Sequence, residues 1–272
     1  MTVIHAAVLG LVQGVTEFLP VSSSAHLILV RAVFGWDSEQ LGLSFDIACH
    51  LGTLVAILIY FRHELRQILA ATPRMFRLQA SGDARYAQLI VVGTLPIVVA
   101  GALYTPAVEE ALRAARVTIV TLAAGAVAFL WADRVGALTR TDDSLTVGEA
   151  LLLGCAQAAA LVPGVSRSGA VIVSGIFLGL GRASSARFAF LLGVPAILAA
   201  AAKVALDLGP HGLAGDALAI FVAGMLVSAV VGYATVKYLI QYLSRHSLRV
   251  FAWYRLVLAS LVAIWVLQRG TG

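Results

Sequence analysis

Three stretches, 86–108, 188–206 and 217–236, are each apolar for long enough to cross a bilayer as a helix, which takes about 20 such residues. Three more, 44–61, 117–132 and 250–267, reach that length once their polar ends are counted. A water-soluble fold has nowhere to put these segments. The chain is 60% hydrophobic and only 12% charged over its 272 residues, whereas soluble domains carry about a quarter charged residues. The runs are also too long and too unalternating to be barrel strands. The expected class is an all-α polytopic membrane protein, forming one integral membrane domain over 1–272.

Net charge is +5. In a soluble protein such basicity would raise nucleic acid as a partner, but here the basic residues fall in loops between apolar runs, where membrane lipids and topology account for them and no nucleic acid is expected. Arg62, Arg66, Arg74, Arg77 and Arg85 outnumber Glu64 and Asp83 in one loop, which marks it as cytoplasmic. The opposite, outer face then receives the N-terminal region. Cys49 and Cys155 lie inside apolar segments without metal-like spacing, so neither a disulfide nor a zinc site is expected. No cleavable signal is expected at the N-terminus, because polar residues follow at once and no small-residue cleavage pattern precedes them.

Two polar islands interrupt this apolar chain. The first is Gln13-Gly-Val-Thr-Glu17-Phe-Leu-Pro20-Val-Ser22-Ser23-Ser24-Ala-His26, and the second is Pro163-Gly-Val-Ser166-Arg167-Ser168-Gly169. Each is followed by a short apolar run, 27–34 or 168–180. Short helices after non-helical backbone at membrane depth are the signature of re-entrant hairpins, which are tolerated where they line a cavity.

The islands also echo one another. Leu9-Gly10-Leu-Val-Gln13 with Pro20-Val21-Ser22 resembles Leu153-Gly154-Cys-Ala-Gln157 with Pro163-Gly-Val165-Ser166, at an offset of about 144 positions. Further on, Gly93-Thr-Leu-Pro96 resembles Gly193-Val-Pro195. The reading is an internal repeat with halves 1–140 and 145–272. Interrupted helices in repeats of this kind place the working site at the repeat interface near mid-membrane.

Gln13 and Glu17 are four apart and share a helix face, and Pro20 restricts Leu19 and ends or kinks that helix. Ser22, Ser23 and Ser24 fall in the turn, with His26 just beyond. Hydroxyl, imidazole and carboxylate together make a nucleophile, an acid or base, and an orienting or metal-binding group. A polar helix cap with a bonded histidine would explain the cluster in a soluble protein; inside a bilayer, ionisable groups are functional by default. In the second island Pro163-Gly164 breaks a helix and Ser166 is a good N-cap for another starting at Arg167. Free N–H groups there attract phosphate, Arg167 adds a planar fork, and Ser166 and Ser168 add hydrogen bonds. One island reacts and the other cradles an anion, which points to phosphoryl transfer on a membrane-resident substrate. An acidic group beside a bound pyrophosphate also suits a divalent cation.

The motifs Gln13-x-x-x-Glu17-Phe-Leu-Pro-Val-Ser-Ser-Ser-Ala-His26, Phe45-Asp46 leading to Leu51-Gly52-Thr53, and Pro163-Gly-Val-Ser-Arg-Ser-Gly-Ala170 resemble those of the undecaprenyl-diphosphatase family of bacterial membrane proteins associated with bacitracin resistance. The resemblance runs over nearly the whole chain. It implies an inverted-repeat helical fold with re-entrant hairpins in the bacterial inner (cytoplasmic) membrane, and hydrolysis of undecaprenyl diphosphate with Mg²⁺ or Ca²⁺ at a site opening to the periplasmic side. Residue by residue, the family's (Glu/Gln)-x-x-x-Glu motif falls on Gln13 and Glu17, its Ser-Ser pair on Ser22 and Ser23 with Ser23 as nucleophile, its histidine on His26, and its Ser-Arg on Ser166 and Arg167.

Glu17, Ser23, His26 and Arg167 are therefore the expected catalytic residues. Ser22, Ser166, Ser168 and Gln13 join Arg167 in phosphate binding, and Glu17 is the expected metal partner. Three positions depart from the family pattern: Gln13 is neutral where an acid is frequent, Ala25 replaces a common glycine, and Val171 replaces a threonine hydroxyl. Asp46 and His50 are read as supporting groups and Asp133 as a helix-end residue. The oligomeric state stays open, a homo-oligomer included. A lipid-phosphate transporter with the same cradle is the alternative, although a transporter has no need of a nucleophile beside a base.

Overall fold

The computed structural model describes residues 2–36, 42–76, 80–103, 112, 114–208 and 215–269. Among these, eleven α-helices and three short 3-10 turns carry the chain, with no β-strand. The helices are α1 (Val3–Thr16), α2 (Ser23–Phe34), α3 (Gly42–Tyr60), α4 (Arg62–Ala71), α5 (Gly82–Leu103), α6 (Ala115–Val135), α7 (Val147–Ala158), α8 (Arg167–Phe177), α9 (Arg182–Leu208), α10 (Asp216–Leu243) and α11 (Arg249–Arg269).

Five of them, α5, α6, α9, α10 and α11, are long and apolar enough to cross a membrane. A sixth span arises if α3 is joined to the segment Arg62–Arg74, which leaves it at 83°. This is a multi-pass membrane protein. Pro96 and Pro195 sit inside α5 and α9, as membrane helices allow when neighbouring groups take up the freed carbonyls. The expected basic loop differs from a plain loop. It opens with α4, which buries Ile68 and Ala71 while Arg62, His63, Arg66 and Gln67 are exposed.

The four short helices form two hairpins. At 14 residues α1 is about 21 Å long, short of a bilayer core, and α2, α7 and α8 are shorter still. Both hairpins start alike. Thr2 caps α1 in a reciprocal capping box with His5, and Thr146 caps α7 in one with Glu149. These threonines stand at the offset that separates Gln13 from Gln157. The ends of the first hairpin are joined by the stacked rings of His5 and Trp36. Those of the second are joined by Arg140, which donates to Glu149 and to the Leu178 carbonyl.

Each hairpin crosses a long helix at a glycine pair. Gly10 of α1 lies on Gly224 of α10, where a Cβ would come within 2.6 Å of the Gly224 oxygen. Gly154 of α7 lies on Gly93 of α5, where a Cβ would come within 2.1 Å of the Gly93 oxygen. By these contacts the counterpart of Gly93 is Gly224, not Gly193 as the sequence echo has it; Gly193 instead lies beneath the Arg167 side chain. Small residues at such crossings let backbones approach closely in a membrane. Gly154→Ala is expected to cost about 1–3 kcal/mol through overpacking and to lower the melting temperature of the detergent-solubilised protein. An unchanged melting temperature would show that the crossing is looser than described.

Asp133 does more than end a helix. It accepts from Arg182 (2.6 Å) and from the Leu248 backbone N–H (2.6 Å), tying α6 to the starts of α9 and α11. Asp142 likewise accepts from Tyr86 (2.6 Å) and Arg187 (2.8 Å). Both bundles of ion pairs lie at the same end of the spanning helices.

Candidate active site

The two hairpin tips meet. α1 ends at Thr16, with Glu17 as its C-cap, three residues ahead of Pro20. The chain then turns through Ser22, which adopts φ +72°, a left-handed conformation that non-glycine residues avoid. Strain of this order persists where surrounding contacts hold it. One such contact is the His26 Nδ1–H, which donates to the Ser22 carbonyl over 2.7 Å. α2 starts at Ser23. The second tip has the same plan. α7 ends at Ala158 and a 3-10 turn carries the chain to Leu161. Gly164 then supplies φ +85°, and the Ser166 hydroxyl caps α8 by accepting from the Gly169 N–H over 3.1 Å. Two helix N-termini, those of α2 and α8, are thus brought beside one cavity.

Glu17 is the centre of the contact, with its side chain only 3% exposed. Its Oε2 accepts from Gln13 Nε2 at 2.8 Å and from Ser23 Oγ at 2.8 Å, and His50 Nε2 is 3.3 Å away. Its Oε1 accepts from Arg167 Nη2 at 2.8 Å. A carboxylate with this many donors is compensated for burial. His50 Nδ1 already donates to the Asp46 carbonyl (2.7 Å), so Nε2 donates to Glu17 only when both ring nitrogens carry protons.

A cavity of about 320 Å³ opens at this cluster. Glu17, Ser22, Ser23, Ser24, His50, Ser166 and Arg167 are the polar residues of its wall, and Ile47, Ile97, Leu161, Ile197 and Ala200 are among the apolar ones. That division matches a ligand with an anionic head and a hydrocarbon tail. Arg167 Nη1 is buried against Gly193 and has no hydrogen-bond partner.

Glu17, Ser23, Ser22, Ser166 and Arg167, all expected from sequence, line the cavity. Gln13 and Ser168 lie behind it. Gln13 is fully buried and donates to Glu17, a bond that a second carboxylate could not donate. Ser168 joins the tips, with its Oγ 3.4 Å from the Glu17 carbonyl oxygen and 3.2 Å from Ser166 Oγ. Val171 is packed in the core, outside the cavity lining. His26 is not brought to Ser23 as expected. Its Nε2 accepts from Tyr254 of α11 at 2.6 Å, and the ring instead supports the Ser22 turn.

His50, expected only to support the site, is in direct contact with Glu17. Its signal in the sequence was an imidazole in the middle of the apolar run 44–61. Asp46 pairs with Arg31 (2.9 Å) and holds His50 through its carbonyl. Arg255, which sequence reasoning passed over, reaches both tips. Among the described residues no three His, Cys, Asp or Glu side chains gather as a metal cage.

The sequence has relatives along nearly its whole length. Residues 6–261 match the family described as Bacitracin resistance protein BacA. The undecaprenyl-diphosphatase of Rubrobacter xylanophilus is 43% identical over 98% of this chain and 99% of its own length. That of Moorella thermoacetica is 41% identical over 99% of this chain and all of its own, and that of Geobacter sulfurreducens is 40% identical with the same coverage. With the family model matched over residues 6–261 and such identity over both full lengths, the chain belongs to the BacA family.

Proposed function

We propose that this protein hydrolyses undecaprenyl diphosphate to undecaprenyl phosphate and inorganic phosphate, recycling a lipid carrier for cell-wall polymer synthesis and thereby conferring resistance to bacitracin. The observation that carries the reading is the Ser23–Glu17–Arg167 contact. It joins a hydroxyl, a carboxylate able to take its proton, and a cation on the wall of a cavity lined by both polar and apolar residues. The relatives named above are themselves undecaprenyl-diphosphatases.

The diphosphate lies against Arg167, Ser166 and the N–H groups at the starts of α2 and α8, with its tail along Ile97 and Ile197. Ser23 Oγ attacks the terminal phosphorus as its proton passes to Glu17. The anhydride bond breaks and the lipid monophosphate leaves. Water then displaces the serine, which recovers its proton from Glu17, and the protons of the water leave with inorganic phosphate. His50 and Gln13 keep the Glu17 carboxylate oriented throughout, and electrostatic stabilisation by Arg167 and the helix N-termini supplies most of the rate.

A divalent cation, Mg²⁺ or Ca²⁺, fits the site as a companion of the substrate. Among the described residues Glu17 is the one carboxylate on the cavity wall, and magnesium is held by one or two carboxylates plus substrate phosphates in sites of this kind. Such an ion supplies charge neutralisation across the diphosphate. The expected result is phosphate release from detergent-solubilised protein that stops with chelator and returns with Mg²⁺, while the protein without substrate takes up no stoichiometric Mg²⁺ in calorimetry. Activity undiminished by chelator removes the ion from the scheme. A protein that moves the lipid across vesicles without releasing phosphate would be a transporter instead.

The location follows from charge and is likewise our reading. Arg62, Arg85, Arg182 and Arg249 lie at one end of α3, α5, α9 and α11, while Ile47, Ile97 and Ala200 of the cavity lie toward the other end of α3, α5 and α9. The basic end is the cytoplasmic one, so in a bacterial inner membrane the cavity opens to the periplasmic side. The halves are inverted repeats in this reading, supported by the paired capping boxes, the reciprocal glycine crossings and the meeting of the two tips.

A further inference from the structure

Among the described residues Arg255 is the largest of the fully buried side chains, 2% exposed within the first third of the membrane span α11. A charged group at that depth is costly and calls for a reason. Among the described residues no carboxylate pairs with it. Its guanidinium donates instead to four backbone carbonyls: Pro20 (3.3 Å) in the first tip, Gly164 (3.1 Å) in the second, and Thr121 (3.0 Å) and Leu122 (3.2 Å) of α6. It also lies over the Phe129 ring at 5.2 Å. Room for it is made by Gly125, where a Cβ would sit 2.2 Å from Nη2. The carbonyls of Pro20 and Gly164 are left over where the two hairpins stop being helical, and one rigid fork satisfies both.

We propose that Arg255 is a positioning residue that fixes the register of one hairpin tip against the other, and so the placement of Ser23 relative to Arg167. It is absent from the cavity wall and touches no substrate. The Glu17–Arg167 ion pair joins the same two tips through groups that the reaction uses, whereas Arg255 joins them from behind through groups that it does not. A planar five-donor guanidinium suits four carbonyls in fixed directions; an ammonium offers three donors from one point. The adjacent Tyr254 holds His26, and through it the Ser22 turn, so a single turn of α11 supports both tips.

This rests on the diphosphatase reading above, and the test separates the two. Lipid-diphosphate turnover is measured on full-length protein in detergent for wild type, Arg255→Met, Arg255→Lys and Gly125→Ala, with Arg182→Met as a control that removes a part-buried ion pair far from the tips. Misplacing reacting groups by about 1 Å costs about 100-fold in rate. Arg255→Met is therefore expected to lose about that much kcat with KM within about threefold of wild type, and Arg255→Lys to recover part of it. Gly125→Ala keeps the charge but displaces the guanidinium, and is expected to lower kcat in the same way. Arg182→Met is expected to melt earlier yet keep its kcat.

The proposal is overturned if Arg255→Met raises KM at unchanged kcat, if its loss of activity merely follows melting temperature as in Arg182→Met, or if Gly125→Ala turns over like wild type. Should Arg255→Met fail to fold, Gly125→Ala decides alone. An inactive wild type would instead sink the diphosphatase reading.

Discussion

Arg167→Ala protein is expected to insert and fold, yet to release phosphate from undecaprenyl diphosphate at least about 10³-fold more slowly than wild type, the usual scale for an arginine that stabilises a transferring phosphoryl group. Two contributions add. The guanidinium charge on the cavity wall no longer faces the phosphates, and the Nη2 bond that holds Glu17 Oε1 is gone. Removing one partner of a buried pair costs about 3–5 kcal/mol because the other charge is stranded, so a lower melting temperature should accompany the loss. Lysine at 167 keeps the charge without the fork and should restore stability better than rate. Wild-type hydrolysis by purified Arg167→Ala would remove the cradle from the mechanism.

Ser23→Ala is the second large effect. With Ser23 as nucleophile, turnover falls by at least about 10³-fold, while substrate affinity changes little because Arg167, Ser166 and the α8 N-terminus remain. Brief exposure of wild type to substrate labelled in its terminal phosphate should leave label on Ser23, recoverable after acid quench. Retained turnover in Ser23→Ala, with no labelled serine in wild type, would assign the attack to a water activated by Glu17. The bond from Ser23 Oγ to Glu17 Oε2 at 2.8 Å favours the first outcome, since the proton already has its acceptor.

What was legible in the sequence had local causes. Pro20 and the Pro163-Gly164 pair announced the two breaks, Ser166 announced its cap, and the spacing of Gln13 and Glu17 announced a shared face. The spanning helices were written in plain runs of apolar residues. What escaped was set by packing between distant segments. His50 is 33 positions beyond Glu17 on a separate helix, and nothing in its neighbourhood says which buried group it meets. His26 has the right spacing to reach Ser23, but Tyr254 of α11, 228 residues away, takes its ring. Gly93 and Gly193 are each followed closely by a proline but differ in surroundings, because one receives a backbone and the other a guanidinium. Arg255 sat in plain view as a cation in an apolar run; its partners are main-chain carbonyls, which no side-chain pattern records.

The pairing of Glu17 with a residue 150 positions later sets a clock on biogenesis. At about 5–20 residues per second, a ribosome needs about 8–30 s to travel from one partner to the other. Through that interval the first hairpin is in or at the membrane with a carboxylate whose arginine does not yet exist, and the hydrogen bonds from Gln13 and Ser23 alone do not offset burying its charge. The nascent hairpin therefore waits with Glu17 protonated or in contact with water, and takes its final depth only when α8 arrives. Insertion of this protein is not complete helix by helix: its first polar residues are among the last to be seated.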